Sequence, residues 1–154
     1  MVKFTSNIKL KGMKIMLVQN RNIEKTCCFY VSEFHLEMIL IPYINEKIEE
    51  NITIITNENL KDTIELLISK MNLKEENKEK ILKLEWEGNE KIKENSNLII
   101  IGTKEYIEEK NKEANEKKAL SVLDCYSFDD EKNNMENIIK RYKRTLNTLG
   151  KSSF

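Results

Sequence analysis

The chain has 154 residues, of which 34% are charged, and 26 Lys and Arg balance 26 Asp and Glu. That balance gives no long-range field for nucleic acid or an anionic membrane surface, so neither is expected as a partner. The length suits a single α/β domain over 1–154, and no apolar run approaches the roughly 20 residues that span a bilayer.

Residues 1–20 read as an N-terminal edge strand or hairpin, with Gly12 between two alternating stretches and Ile15-Met16-Leu17-Val18 as the strand. Five apolar bursts follow: Cys27 to Val31, Ile52 to Thr56, Ile81 to Trp86, Leu98 to Ile101 and Leu120 to Tyr126. Each has strand length and is followed by a helix-length stretch, which predicts a parallel sheet covered on both faces. The expected architecture is three-layered α/β, with a mostly parallel five- or six-stranded sheet and helices on both faces.

The first burst ends at Ser32, a good N-cap, and the helix after it is expected to bury Phe34, Met38, Ile41 and Ile48. Leu40 and Ile44 widen that stripe, and Pro42 falls inside the helix, where a kink near Met38 is expected. After Ile52-Thr53-Ile54-Ile55, Asn57 and Asn59 are alternative caps for a helix whose face is Leu60, Ile64, Leu67, Ile68 and Met71. Lys74 to Lys80 is a charge run, read as exposed helix or loop. Gly102-Thr103 ends the fourth burst, and the helix predicted over Glu105–Lys118 has few apolar positions. A long last helix is expected from Met135, Ile138, Ile139, Tyr142, Leu146 and Leu149, capped by Gly150. After Asp130 the chain carries six cations (Lys132, Lys140, Arg141, Lys143, Arg144 and Lys151) against Glu131 and Glu136. On one terminal helix, that excess reads as a solvated face.

Catalytic chemistry is sparse. The four glycines, at 12, 88, 102 and 150, are far apart, whereas phosphate cradles need several together. Gly102-Thr103-Lys104 resembles the end of a P-loop, but Asn97 occupies the upstream glycine position, so a plain strand-to-helix turn is expected. The only histidine, His35, could pair with Cys125 as a thiol–imidazole dyad, and a small core thiol is the simpler reading. Cys27 and Cys28 point to opposite faces of their strand and cannot share a metal. Adjacent cysteines do not bridge readily, and the absence of a signal-peptide pattern makes a cytoplasmic location the expectation. Asp124, Asp129 and Asp130 cluster at the end of the last strand, where Asp129 or Asp130 serves as a helix cap.

Parallel sheets bind ligands beyond the carboxyl ends of their strands. That rule nominates Ser32, Glu33, His35, Asn57, Glu58, Trp86, Thr103, Lys104, Tyr126 and Asp129 as a binding rim, with no catalytic or metal-binding residue and no cofactor.

Phe29-Tyr30, then Pro42-Tyr43-Ile44, then Glu49-Glu50-Asn51 leading into Ile52-Thr53-Ile54-Ile55, resemble the opening of MEDS domains, the methanogen/methylotroph sensory domains. The tail is similar as well: Cys125-Tyr126, an acidic pair, and a segment closing at Leu149-Gly150. Thr26-Cys27 stands where that family has a histidine, and Leu146-Asn147-Thr148 where it has His-Pro. The resemblance implies a RecA-like core without Walker motifs, serving as a sensory or regulatory module. Its expected partners are a small-molecule ligand and a protein in trans. Two alternatives belong to other classes: a thiol-dependent enzyme using Cys125, and a structural homodimer built on the last helix or an edge strand.

Overall fold

The computed structural model describes residues 23–148 and 150–153, so the strand expected at Ile15–Val18 lies outside the described residues. Its first element, β1 (Glu24–Tyr30), divides the molecule, because adjacent side chains on a strand face opposite ways. Cys28 enters one apolar core and Cys27 the other. The chain continues through α1 (Glu33–Glu46), β2 (Ile52–Ile55), α2 (Lys61–Lys70), α3 (Glu75–Leu82), β3 (Asn97–Ile101) and α4 (Lys104–Glu116). It closes with β4 (Ser121–Ser127), α5 (Phe128–Glu131), α6 (Met135–Ile139), β5 (Arg144–Asn147) and β6 (Gly150–Ser153). The strands form one sheet in the order β2-β3-β4-β1-β5-β6, parallel throughout except for the antiparallel β5–β6 pair. This is a three-layer α/β fold.

Helices α1, α2 and α3 cover the Cys28 face, where Leu40, Ile44, Ile64, Ile68 and Ile81 meet Ile99 and Ile101 of β3. Helices α4 and α6 cover the Cys27 face, where Ile107, Ala114 and Ile138 meet Leu98 and Ile100. Strand β3 is buried along its whole length, which is why the run Leu98-Ile99-Ile100-Ile101 shows no alternation.

Three expectations are corrected. Ile81–Trp86 is not a strand: Ile81 reaches the core from the end of α3, and Trp86 follows in a turn, its Nε1 donating to the Ile81 carbonyl at 2.7 Å. An apolar run of that length cannot by itself choose between strand and helix, and here the helix-forming charge run before it carries through. The chain then returns to β3 with no helix between Trp86 and Asn97. Gly88 itself has φ +112°, a left-handed conformation suited to glycine.

The long last helix is also replaced. Helix α6 stops at Ile139, and Arg144–Asn147 becomes β5, pairing with β1 at Thr26 and Cys27. Without β5 the central strand would have an unpaired side, and Ile138 and Leu146 are buried on opposite faces of the sheet. No single helix could reach both. Tyr142 and Leu146, two positions of that expected helix, are 8% and 6% exposed inside the fold. Gly150 opens β6 instead of capping a helix.

Third, the face that α1 buries is shifted: Leu40, Ile41 and Ile44 are buried as expected, but Phe34 and Met38 are not. Leu36, Ile39 and Tyr43 take the buried side, while Phe34 and Met38 stay 53% and 43% exposed. Apolar residues surround this helix, so their spacing alone does not choose a face.

A polar seam stitches the amino ends of β2, β3 and β4. Ser121 Oγ donates to Asn97 Oδ1 at 2.6 Å, and Asn97 Nδ2 donates to Glu50 Oε1 and to the Asn51 carbonyl. Thr53 Oγ1 donates to Ser96 Oγ at 3.0 Å. Asn97→Ala leaves the buried Ser121 hydroxyl without this acceptor and is expected to cost about 1–3 kcal/mol. Urea denaturation checks this; an unchanged midpoint would mean the seam does not contribute.

Candidate functional site

The connection after β1 leaves through α1 on one face, and the connection after neighbouring β4 leaves through α5 and α6 on the other. The crevice favoured for ligands in open sheets is therefore at the carboxyl ends of β1 and β4. The β1–α1 turn there is only Val31-Ser32, and side chains take the amides of Val31 and of His35 after it. His35 N donates to Ser32 Oγ at 3.1 Å, Val31 N to His35 Nδ1 at 3.0 Å, and Leu36 N to the Ser32 carbonyl at 2.9 Å. Ser127, rather than Asp129 or Asp130, caps α5 by accepting from Asp130 N.

Of the ten rim residues, eight stand at strand ends with exposed or half-exposed side chains: Ser32, Glu33, His35, Asn57, Glu58, Thr103, Lys104 and Asp129. Several hold their own helix starts. Glu33 accepts from Thr63 Oγ1 at 2.9 Å, Thr103 caps α4 through Tyr106 N, and Lys104 pairs with Glu108 at 3.6 Å. Gly102 has a local reason too, because a Cβ there would lie 2.5 Å from Cδ2 of the Tyr106 ring. Trp86 and Tyr126 do not join the rim; they are 2% and 1% exposed, one in each core. The same end of the sheet also presents apolar side chains: Val31 is 60% exposed, and Phe34 and Met38 are exposed as well.

The thiol chemistry is closed off. Cys27, Cys28 and Cys125 are free and fully buried, and Cys28 is the register partner of Cys125. Burial pushes the Cys125 thiol well above its ordinary value, with Cys28 adding to the effect, and pushes Cys27 up to about 12. A nucleophilic cysteine needs the opposite shift. His35 spends Nδ1 on the Val31 amide, so no cysteine–histidine site forms.

The most elaborate polar chemistry lies elsewhere, on the Cys27 face. Asp124 of β4 is fully buried, apart from Asp129 and Asp130. Tyr142 OH donates to Asp124 Oδ2 at 2.5 Å, and Asn111 Nδ2 of α4 lies 3.1 Å from both carboxylate oxygens. Because the Tyr142 hydroxyl proton is committed to Asp124, Tyr126 OH is the donor in the 2.6 Å contact between the two tyrosines. Lys25 Nζ sits 5.7 Å from the Tyr142 ring centroid. Burial raises the Asp124 pKa to about 6, against the bonds from Tyr142 and Asn111 and the nearby charge of Lys25.

A cavity of about 310 Å³ opens over this network, with Asn111, Tyr126 and Tyr142 among its lining. A second, of about 580 Å³, is lined by Lys25, Arg141, Lys143 and Arg144 among others, and shares Lys25 and Arg141 with the first. Arg141 binds Glu108 at 3.0 Å and holds its carboxyl below the usual range, while Arg144 pairs with Glu24. Of the residues lining the two cavities, the amino-acid sequence nominated only Tyr126, and as part of the rim. The signal for the region was the cation excess after Asp130, read there as a solvated helix face.

Among the described residues, no group of three or more His, Cys, Asp or Glu side chains gathers to hold a metal ion, and no helix is long and apolar enough to cross a membrane. The fold and its chemistry define an α/β domain without a metal- or cysteine-based catalytic centre among those residues. No family model matches the chain, and neither a curated protein nor a solved structure does.

Two outcomes are expected. A disulfide reagent should label none of the three thiols in native protein and all three in denaturant; rapid native labelling of Cys125 would restore the thiol-enzyme reading. Asp124 titrates higher in the fold than the ordinary 3.8, so its contribution to stability is complete below about pH 4 and lost as pH rises through about 6. At 1.36 kcal/mol per unit that amounts to roughly 3 kcal/mol. Asp124→Asn should remove this part of the slope in urea titrations from pH 4 to 7, and an unchanged slope would assign it to other groups.

Proposed function

We propose that this domain is a non-catalytic sensory or regulatory module, as the MEDS resemblance implies, and that it acts by docking a protein partner in trans at the carboxyl rim. The observation that carries the reading is the exposure of Val31, Phe34 and Met38 beside the switch point. Phe34 and Met38 lie one helical turn apart on α1, and Val31 is the first residue of the turn before it. Ser32, Glu33, His35, Asn57 and Glu58 supply polar groups at the same end of the sheet, and an apolar centre with a polar rim is the usual anatomy of a protein interface.

The β1–α1 turn supports the same reading. In nucleotide-binding α/β proteins the first strand-to-helix turn carries glycines and presents free amides to phosphate. Here that turn has no glycine, and its amides at Val31 and His35 are taken by side chains. This fits a RecA-like core without Walker motifs.

The test is affinity capture from a native extract on immobilised wild-type domain and on Phe34→Asp. The captured protein is then purified and titrated against both. The exposed position of Phe34 should leave the melting temperature of the variant unchanged. A partner that binds the variant about tenfold or more weakly supports the reading, a single buried aromatic anchor being worth at least that much. Equal binding to both, or no retained partner, would overturn it.

A further inference from the structure

We propose that the joined cavities around Lys25 and Arg141 form a binding site for a small anion carrying at least two phosphate or carboxylate groups. The site lies away from the carboxyl rim and does not depend on the docking role given to that rim.

Three observations converge on it. The first is shape. The two cavities, of about 580 and 310 Å³, meet at Lys25 and Arg141, and their sizes match small-molecule pockets of roughly 300–1,000 Å³. The second is charge. Lys25, Lys112, Arg141, Lys143 and Arg144 line the two lobes, against Glu24 and Glu108. Both acids are already engaged by arginines, Glu24 by Arg144 and Glu108 by Arg141. No ion pair among the described residues involves Lys25, Lys112 or Lys143, so the cleft keeps a positive surplus.

The third is the distribution of that surplus. Lys112 lines only the smaller lobe, Lys143 and Arg144 only the larger, and Lys25 and Arg141 the junction. Two separated cationic ends select a ligand with two anionic groups over a single ion. Arginine at the junction suits either phosphate or carboxylate, since its planar fork matches both. The floor of the smaller lobe is fixed by the hydrogen-bonded chain from Tyr126 through Tyr142 to Asp124, so binding would meet a preorganised surface.

Isothermal titration at low salt checks the assignment, with inorganic pyrophosphate, ADP and citrate as probes. The three arms separate bare phosphates, a nucleotide and a carboxylate source. Saturable one-to-one binding of at least one probe is expected, weakened by added salt. Lys112→Glu and Lys143→Glu, one in each lobe and both at exposed positions, should each weaken it about tenfold, near the value of one charge-assisted hydrogen bond, without lowering the melting temperature. The proposal is overturned if no probe saturates, if both variants bind like the wild type, or if a short oligonucleotide binds more tightly than every probe. Partner capture at the rim should be unaffected in both variants, so failure here is distinct from failure of the docking reading.

Discussion

Every other element answers to the demand that β1 be buried on both faces and paired on both edges. Strand β4 takes one edge and β5 the other, while the alternation at Cys27 and Cys28 commits each face to a separate core. Small thiols at those two positions let helices approach the sheet from both sides. The same demand decides the end of the chain. A helix over residues 135–149 would satisfy local periodicity, yet leave the central strand with open amides and carbonyls. Pairing of Arg144 and Thr145 with Thr26 and Cys27 wins.

Placing β1 at the switch point also gives the sheet two functionally different ends. At the carboxyl end, polar side chains turn inward on their own backbone, and apolar ones are left outside. At the amino end and over the Cys27 face, aromatic hydroxyls and a buried carboxylate form a rigid floor beneath a cationic wall. A chain with no net charge thus concentrates positive charge locally. Overall neutrality argues only against long-range attraction to large polyanions, and does not forbid a pocket that reads a small one.

Much of this was legible in the amino-acid sequence where burial is complete. Ile52–Ile55 and the runs around Leu98 and Val122 are strands because short, mostly apolar segments of that length are buried on both faces. Helix α2 shows its face because Ile64, Leu67 and Ile68 stand against polar neighbours. Legibility ended where several settings bury similar area. Around α1 apolar residues lie on every side, so the choice that exposes Phe34 belongs to tertiary packing. At Ile81–Trp86 the preceding charge run settled the conformation. The candidate sites were read least well. Asp124 and Tyr142 meet only because α6 ends early, and no spacing in the sequence announces a contact made by a turn between two elements. Eight of the rim residues stand just beyond the strands' carboxyl ends, whereas Trp86 and Tyr126 are buried, one in each core.

The return segment after α3 has a further consequence. Asn89 pairs its backbone with Thr56 through two hydrogen bonds of 2.8 Å, and its side chain donates to the Ile54 carbonyl. Strand β2 is the outermost parallel strand, and its free edge would otherwise template pairing with another chain. One asparagine therefore clasps the carboxyl end of that edge. It also closes the α2–α3 segment into a loop anchored at the strand it left. Opening the clasp would expose that end of the strand edge, tying the colloidal behaviour of the protein to a contact beside Asn57 and Glu58 of the carboxyl rim.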